Sequence, residues 1–294
     1  MAYTTGTASN YLDLLSILTT FAAANGWTVL AQSGTEVYLR GEGSEGLDEI
    51  FCGIRAFENA AAGYYNWQIY GSINWRAERS IGSNPVSNAG SRTDVYATFW
   101  NSAIPYWIVA NARRVILVAK IGTVYSHVYF GFIDQAATTE QYSYPLFIGG
   151  TTGDSVTPYT SADSKHAAYW SGNGYNTDGY CQGALYLPAG PWGSVGYYAD
   201  SGVSATTPGC KAYSLFHNAR AAILSAPDGS YMLEPIFIRY AHASNIYGQL
   251  SGIYRVSGYN NTSENIITVG GVNYLVFHDT YHLGYGDFCA VEMA

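Results

Sequence analysis

The apolar positions change period once along the chain. Within residues 10–24, Leu14, Leu15, Leu18, Phe21 and Ala22 fall on one helical stripe, while Asp13, Ser16, Thr19 and Thr20 lie elsewhere. Asn10 or Ser9 offers a capping oxygen and Asn25-Gly26 a left-handed stop, so the pattern predicts one amphipathic helix over residues 10–24. Beyond Gly26, short runs of β-branched and aromatic residues take over, separated by glycine clusters: Trp27-Thr28-Val29-Leu30, Glu36-Val37-Tyr38-Leu39-Arg40, and residues 49–57. Residues 65–75 alternate large with small or polar side chains, as a strand with one covered face does.

Residues 80–94 hold few large apolar side chains and are expected as an exposed loop. Strands resume at Tyr106-Trp107-Ile108-Val109-Ala110, turn at Asn111-Ala112 and return through Arg114-Val115-Ile116-Leu117-Val118-Ala119-Lys120, with a further strand over residues 125–133. From 149 to 179 the composition shifts to Gly, Ser, Thr, Asp and Asn. A structureless run of that length is uncommon inside a compact domain, so it is expected to join two halves. The expected organisation is a helix plus β-rich domain over 1–150, a joint over 151–180 and a β-rich domain over 181–294.

In the C-terminal half, Gly183-Ala184-Leu185-Tyr186-Leu187-Pro188 precedes a turn at Pro227-Asp228-Gly229-Ser230 and a strand over 232–240. Pro235 marks that strand as an edge or a bulge. The alternating runs 265–269 and 272–277 are joined by Gly270-Gly271, a two-residue hairpin signal. The predicted fold class is mainly β with one N-terminal helix, its antiparallel sheets forming β-sandwich or barrel-like halves.

Composition narrows the function classes. With 294 residues, a sizeable core can form without crosslinks or metals. The balance of 13 Lys+Arg against 21 Asp+Glu argues against duplex nucleic acid as a partner, because such binding relies on neutralising phosphates. No apolar run approaches the roughly 20 residues of a membrane-spanning helix, and Met1 to Asn10 lacks the basic start and apolar stretch of a secretory signal. A soluble chain folding in the cytoplasm of the cell that makes it is expected. Charged residues are only 12% of the chain and aromatics 16%, a balance that suits contact surfaces poor in charge. Cys52, Cys181, Cys210 and Cys289 are widely spaced, without a C-x-x-C pair, and are expected as buried thiols.

No nucleotide-binding or nucleophile-elbow pattern is present, and Gly284-Tyr285-Gly286 is expected as a turn. His278-Asp279-Thr280-Tyr281-His282 is the densest set of metal or acid/base groups. On a continued strand His278 and His282 share a face and Asp279 takes the other, so a site would need Asp287 or another residue brought in by folding. His127 is expected as a half-buried strand histidine bonded to backbone, and His166 is a candidate for a sugar-binding surface. Glu42, Glu45, Asp48 and Glu49 are expected as an acidic solvated turn or weak cation loop rather than a glycosidase carboxylate pair. The aromatic clusters Tyr64-Tyr65-Asn66-Trp67, Phe99-Trp100, Tyr106-Trp107, Tyr169-Trp170 and Trp192 could stack sugars, or fill the core and subunit contacts of a large oligomer. No catalytic, cofactor or metal residue is assigned from the sequence.

Two sets of segments resemble virion structural proteins of tailed bacteriophages. One is Asn111-Ala112-Arg113-Arg114-Val115-Ile116-Leu117-Val118-Ala119-Lys120 with residues 125–132 and Tyr144-Pro145-Leu146-Phe147-Ile148-Gly149-Gly150. The other runs through Gly248-Gln249-Leu250-Ser251-Gly252-Ile253-Tyr254-Arg255-Val256-Ser257-Gly258, Ser263-Glu264-Asn265, Ile267-Thr268-Val269-Gly270-Gly271 and Tyr274-Leu275-Val276-Phe277. Together they cover roughly a quarter to a third of the chain, and residues 278–282 depart from the basic ending of that group. The resemblance implies a non-enzymatic, β-rich building block of the tail, baseplate or fibre-attachment region. Its implied partners are other virion proteins and copies of itself. A receptor- or carbohydrate-binding tip protein that contacts a host-surface glycan is the alternative, and a polysaccharide-degrading tail enzyme comes third.

Overall fold

The computed structural model describes residues 1–42, 49–74, 95–139, 141–152, 156–160, 165–170, 183–188, 192–195, 209–213, 230–240 and 246–293. The chain opens with β1 (Ala2–Ala8), α1 (Tyr11–Ala24), β2 (Thr28–Gln32), β3 (Glu36–Glu42), β4 (Glu49–Asn59), β5 (Tyr64–Ser72) and β6 (Val95–Ala97). It continues through β7 (Ile104–Asn111), β8 (Arg114–Ile121), β9 (Val124–Phe132), β10 (Asp134–Gln135), β11 (Leu146–Gly149), β12 (Gly183–Tyr186) and β13 (Trp192–Val195). Then come β14 (Gly209–Tyr213), β15 (Glu234–Tyr240), β16 (Ile246–Val256), β17 (Ile266–Val269), β18 (Val272–His278) and β19 (Phe288–Glu292). Among the described residues the protein is mainly β with one helix, as its patterning predicts, and no sheet closes into a barrel.

Helix α1 forms where its stripe and caps place it. The Asn10 side chain accepts the N–H groups of Leu12 at 2.9 Å and Asp13 at 3.0 Å, satisfying donors that the first turn leaves unpaired. At the other end Gly26 sits at φ +98°, and a Cβ there would lie 2.6 Å from Ala112 Cβ. Glycine therefore serves both the stop and the close approach of the β7–β8 turn. Tyr11, Leu14, Leu15, Leu18 and Ala22 are buried.

A five-stranded sheet runs in the order β2-β3-β4-β5-β6. The second sheet has fourteen strands in the order β1-β7-β8-β9-β11-β12-β13-β14-β15-β16-β19-β18-β17, with β10 paired to β16. Pairing is antiparallel apart from β13 with β14, which run parallel. The larger sheet draws strands from both sides of the joint expected over 151–180. Within that segment Thr151, Thr152 and His166 to Trp170 carry buried side chains or backbone, and Tyr96 on β6 exchanges backbone hydrogen bonds with Thr151 and Thr152 at 2.8–3.0 Å. The described part of the joint is thus packed structure that ties the two sheets together.

Alternation along β7, β8, β9 and β11 sends successive residues into two different cores. Ile108, Val115, Leu117, Val128, Phe130 and Ile148 pack with α1 and the five-stranded sheet, against Leu39, Ile54, Trp67 and Ile69. Val109, Ile116, Val118, Tyr129 and Phe147 face the other way and pack against Ile238, Leu250, Leu275, Phe277 and Val291 of the same fourteen-stranded sheet, which turns back over itself. The result is three layers with β7–β9 and β11 in the middle. A strand covered on both faces needs apolar residues at every position, which accounts for the unbroken Val115-Ile116-Leu117-Val118-Ala119 run. A smaller core of Val256, Ile267, Val276, Phe288 and Ala290 occupies the outer face of β16 to β19.

The local turn signals hold. Gly270 and Gly271 have φ of +60° and +84° between the paired residues Val269 and Val272. Pro235 lies at a register shift in the β15–β16 ladder, beyond the residues that β14 pairs. The loop expected over 80–94 and the turn at Pro227 to Gly229 fall outside the described residues.

Candidate functional site

The strand β18 delivers His278 to the end of the fourteen-stranded sheet, where the chain leaves the ladder and loops through residues 279–287 before returning as β19. Beside it, residues 257–265 connect β16 to β17. Ser263 clamps the junction: its hydroxyl accepts the His278 backbone N–H at 3.0 Å and lies 2.6 Å from His278 Nδ1. It thereby continues the hydrogen bonds that Glu264 and Asn265 make with Val276. A serine–histidine pair of this kind would suggest a nucleophile, but burial lowers the imidazole to a pKa of about 4, a weak base. The His278 carbonyl in turn accepts from His127 Nε2 at 3.0 Å.

His127 is buried in β9, fully rather than half, and its Nδ1 lies 3.4 Å from Trp170 Nε1. Burial lowers its pKa to about 3, so it is neutral. Bonding to backbone is as expected from the sequence. At the surface of this network Glu264 Oε1 accepts from Lys120 Nζ at 2.5 Å and from the Tyr125 hydroxyl at 2.6 Å. Burial pushes the Glu264 carboxyl up, but those two hydrogen bonds leave it below its ordinary range.

Asp279 is fully buried and organises the loop. Its N–H donates to the Asp287 carbonyl at 2.8 Å, and its carbonyl accepts from His282 N–H at 2.5 Å. One carboxylate oxygen accepts the Ala168 N–H at 2.5 Å, and the other lies 3.9 Å from His282 Nε2. The Asp287 carboxylate turns to its own loop, accepting Gly284 N–H at 2.9 Å. Asp279 and His282 are therefore brought together, while His278 turns to Ser263 and the Asp287 carboxylate to Gly284, so the four groups do not converge on one metal site. Among the described residues no group of three His, Cys, Asp or Glu is placed to hold a metal ion. The physical reason is topological: His278 is still in the strand and bonded sideways to Ser263, whereas Asp279 and His282 belong to the loop that leaves it.

This polar framework holds an apolar outer surface in place. Tyr259 is 53% exposed, Leu283 67% and Tyr285 66%, and the Tyr231 hydroxyl donates to the Asn260 carbonyl at 2.8 Å. The rings of Tyr259 and Tyr285 meet edge to face at 5.9 Å, and the Gly258 N–H donates to the Tyr285 carbonyl at 2.8 Å. Gly284-Tyr285-Gly286 forms the expected turn. A tyrosine between two glycines was the available signal that a side chain would be held out to solvent there, and sequence patterning alone passed over it.

The aromatic clusters considered for docking or sugar stacking lie elsewhere. Trp67, Phe99, Tyr106, Tyr169, Trp170 and Trp192 are buried within the single chain, while Tyr64, Tyr65, Trp100 and Trp107 are half-buried. Asn66 is buried and donates to the Thr157 carbonyl at 2.9 Å. Two cores on either side of one layer absorb most of these rings and leave only the half-buried Tyr64, Tyr65, Trp100 and Trp107 partly open to solvent. His166 is buried as well, with Nε2 3.0 Å from the Pro158 carbonyl and its ring 5.6 Å from that of Tyr281, so it lies on no sugar-binding surface. Cys52 and Cys289 are buried free thiols, raised in pKa by burial. Cys181 and the Cys210 side chain fall outside the described residues.

A separate cleft of about 480 Å³ opens at the end of the five-stranded sheet, lined by Leu30, Arg40, Glu49, Phe51, Ile73, Asn74 and Tyr144. Arg40 Nη1 and Glu49 Oε1 pair there at 2.9 Å. Glu42 lies opposite Glu49 in the ladder and both are exposed, while Glu45 and Asp48 fall outside the described residues. No described helix is long and apolar enough to cross a membrane, which says nothing of strands. Neither protein-family models nor curated proteins give a match to this chain.

Proposed function

We propose that this protein is a non-enzymatic structural component of a tailed bacteriophage particle, in the tail, baseplate or fibre-attachment region, acting through contacts with other virion proteins and with copies of itself in a symmetric assembly. The observation that carries this reading is the exposed, touching ring pair of Tyr259 and Tyr285, with exposed Leu283 on the same loop, held by a buried Asp279 framework. Grouped apolar side chains on a well-anchored support suit contact with another protein surface. The histidines and aspartates of the same region support it too, because their hydrogen bonds go to backbone and to neighbouring side chains that build the loop. The resembling segments coincide with β8, β9, β11, β16 and the β17–β18 hairpin, which contribute to the middle layer and its cover.

The test is location and association. Cryo-electron microscopy of intact particles is expected to place the chain at an internal ring or wedge position. In sedimentation of the purified protein with its neighbours, Tyr259→Ser combined with Tyr285→Ser is expected to weaken association at least tenfold without unfolding. Absence from mature particles would remove the proposal.

One observation favours a carbohydrate-binding tip protein instead. The cleft beside Tyr144 combines an aromatic ring with Asn74 and a neutralised Arg40–Glu49 pair, donors and acceptors that suit an uncharged polyhydroxyl ligand. Micromolar binding on a glycan array, lost in Tyr144→Ala, would support that reading, together with a distal position on the particle.

A further inference from the structure

Among the described residues the five-stranded sheet ends on β2 and β6 and the fourteen-stranded sheet on β1 and β17, with the two-residue β10 as a side branch on β16, and of the four end strands all but β1 carry a device that blunts them. In β2 the register shifts between Val29 and Ala31. β6 is three residues long, and Tyr96 within it is already bridged to Thr152. β17 is four residues long and follows Glu264, which sits at φ +71°. Bulges, short length and irregular flanks are ways in which proteins keep a sheet edge from recruiting another strand.

β1 carries none of these. Its seven residues, Ala2-Tyr3-Thr4-Thr5-Gly6-Thr7-Ala8, pair with β7 in unbroken register and include no proline and no charge. Among the described residues β7 is its sole ladder partner, and Thr5, Gly6 and Thr7 are exposed. Such an edge presents unpaired N–H and C=O groups over roughly 20 Å, at about 3.4 Å per residue.

We propose that β1 is the dimer seam of this protein, pairing antiparallel with β1 of a second copy across a two-fold axis near Thr5, so that the fourteen-stranded sheet continues into its partner. The occupant follows from the chemistry of the strand. Antiparallel self-pairing places each side chain against another of the same segment: Thr5 opposite Thr5, Tyr3 opposite Thr7, Thr4 opposite Gly6 and Ala2 opposite Ala8. A charged edge would oppose like charges in this arrangement. An uncharged one does not, and threonine–threonine and aromatic–threonine pairs are favourable cross-strand neighbours. An isologous seam also closes the assembly at two copies instead of propagating it. The inference rests on the proposal that copies of this chain associate, and it names where they do so.

Sedimentation velocity on the full chain across a concentration series tests it. Wild type is expected to dimerise, and Thr5→Lys with Thr7→Lys to raise the dissociation constant at least tenfold with an unchanged circular dichroism spectrum. Single cysteines at Thr4, Thr5 and Thr7 provide a readout independent of that variant's folding. Under mild oxidation Thr5→Cys is expected to give the most interchain disulfide above the wild-type background. Dimerisation that survives the lysine variant, or absence of cross-linking at all three positions, overturns the β1 seam while leaving symmetric assembly standing. A wild type that stays monomeric throughout overturns both.

Discussion

β9 and the loop between β18 and β19 draw on the same residue types and put them to opposite use. β9 contains Tyr125, His127, Tyr129 and Gly131; the loop contains Tyr281, His282, Gly284, Tyr285 and Gly286. In β9 every ring is buried, because one face meets the five-stranded sheet and the other meets β16, β18 and β19. The loop has cover on one side only, so His282 turns in toward Asp279 while Leu283 and Tyr285 stand in solvent. The abundance of tyrosine and tryptophan therefore measures the number of buried faces before it measures docking surface. Low charge has the same origin: a layer covered on both sides has no place for ions.

The largest effect that would test this contrast comes from replacing Tyr106 and Trp107 together by Ala. Tyr106 points to the first core and Trp107 to the second, where its ring lies 5.1 Å from Phe277. Truncating a core aromatic costs about 3–5 kcal/mol, so the pair is expected to remove most or all of the stability and to act on folding rather than on assembly. Urea denaturation followed by tryptophan fluorescence reads this directly. A variant that unfolds cooperatively within about 2 kcal/mol of wild type would contradict the three-layer packing.

Acid provides the next measure. His127 and His278 are held neutral in the fold, with pKa values of about 3 and about 4 against an ordinary 6.5. As pH falls below about 6.5, the unfolded chain takes up protons that the folded chain refuses, so stability declines. The decline continues to about pH 4 for His278 and about pH 3 for His127, then levels. Each histidine contributes a slope of about 1.4 kcal/mol per pH unit within its window. His127→Gln is expected to flatten the curve between pH 6 and 4 relative to wild type, in urea titrations at a series of pH values. An unchanged slope would mean that His127 is hydrated in the native state.

The smallest effect is expected on the loop. Leu283→Ser with Tyr285→Ser should leave the unfolding free energy within about 0.5 kcal/mol of wild type, as for exposed positions generally. A loss above 2 kcal/mol would show that these side chains are packed as those of β9 are, and would remove the contrast.

Much of the local structure was legible before folding was considered. The Asn10 cap, the Gly26 stop, the Asn111-Ala112 turn, the Gly270-Gly271 hairpin and the Pro235 bulge each depend on residues a few positions apart, and all stand where patterning places them. β1 and β19 went unrecognised. β1 is made of Thr, Gly and Ala with a single large side chain, and its partner β7 lies about a hundred residues away. β19 follows a loop whose histidine and aspartates drew attention as chemistry. The candidate site suffered more: the proximity of Ser263 to His278, or of Asp279 to the Ala168 N–H, carries no signature along the chain.

The amino-acid order by itself determined the class of structure, helix α1, the places where strands turn and the apolar character of both faces of β8. Only the tertiary structure decided which surface covers each face, that one sheet turns back upon itself to make three layers, that most of the aromatic clusters become cores, and that among the described residues β1 pairs with β7 alone. The reason is physical: periodicity reports which side chains avoid water, whereas the identity of what shields them depends on contacts between segments far apart in the chain, and those exist only once the layers have closed.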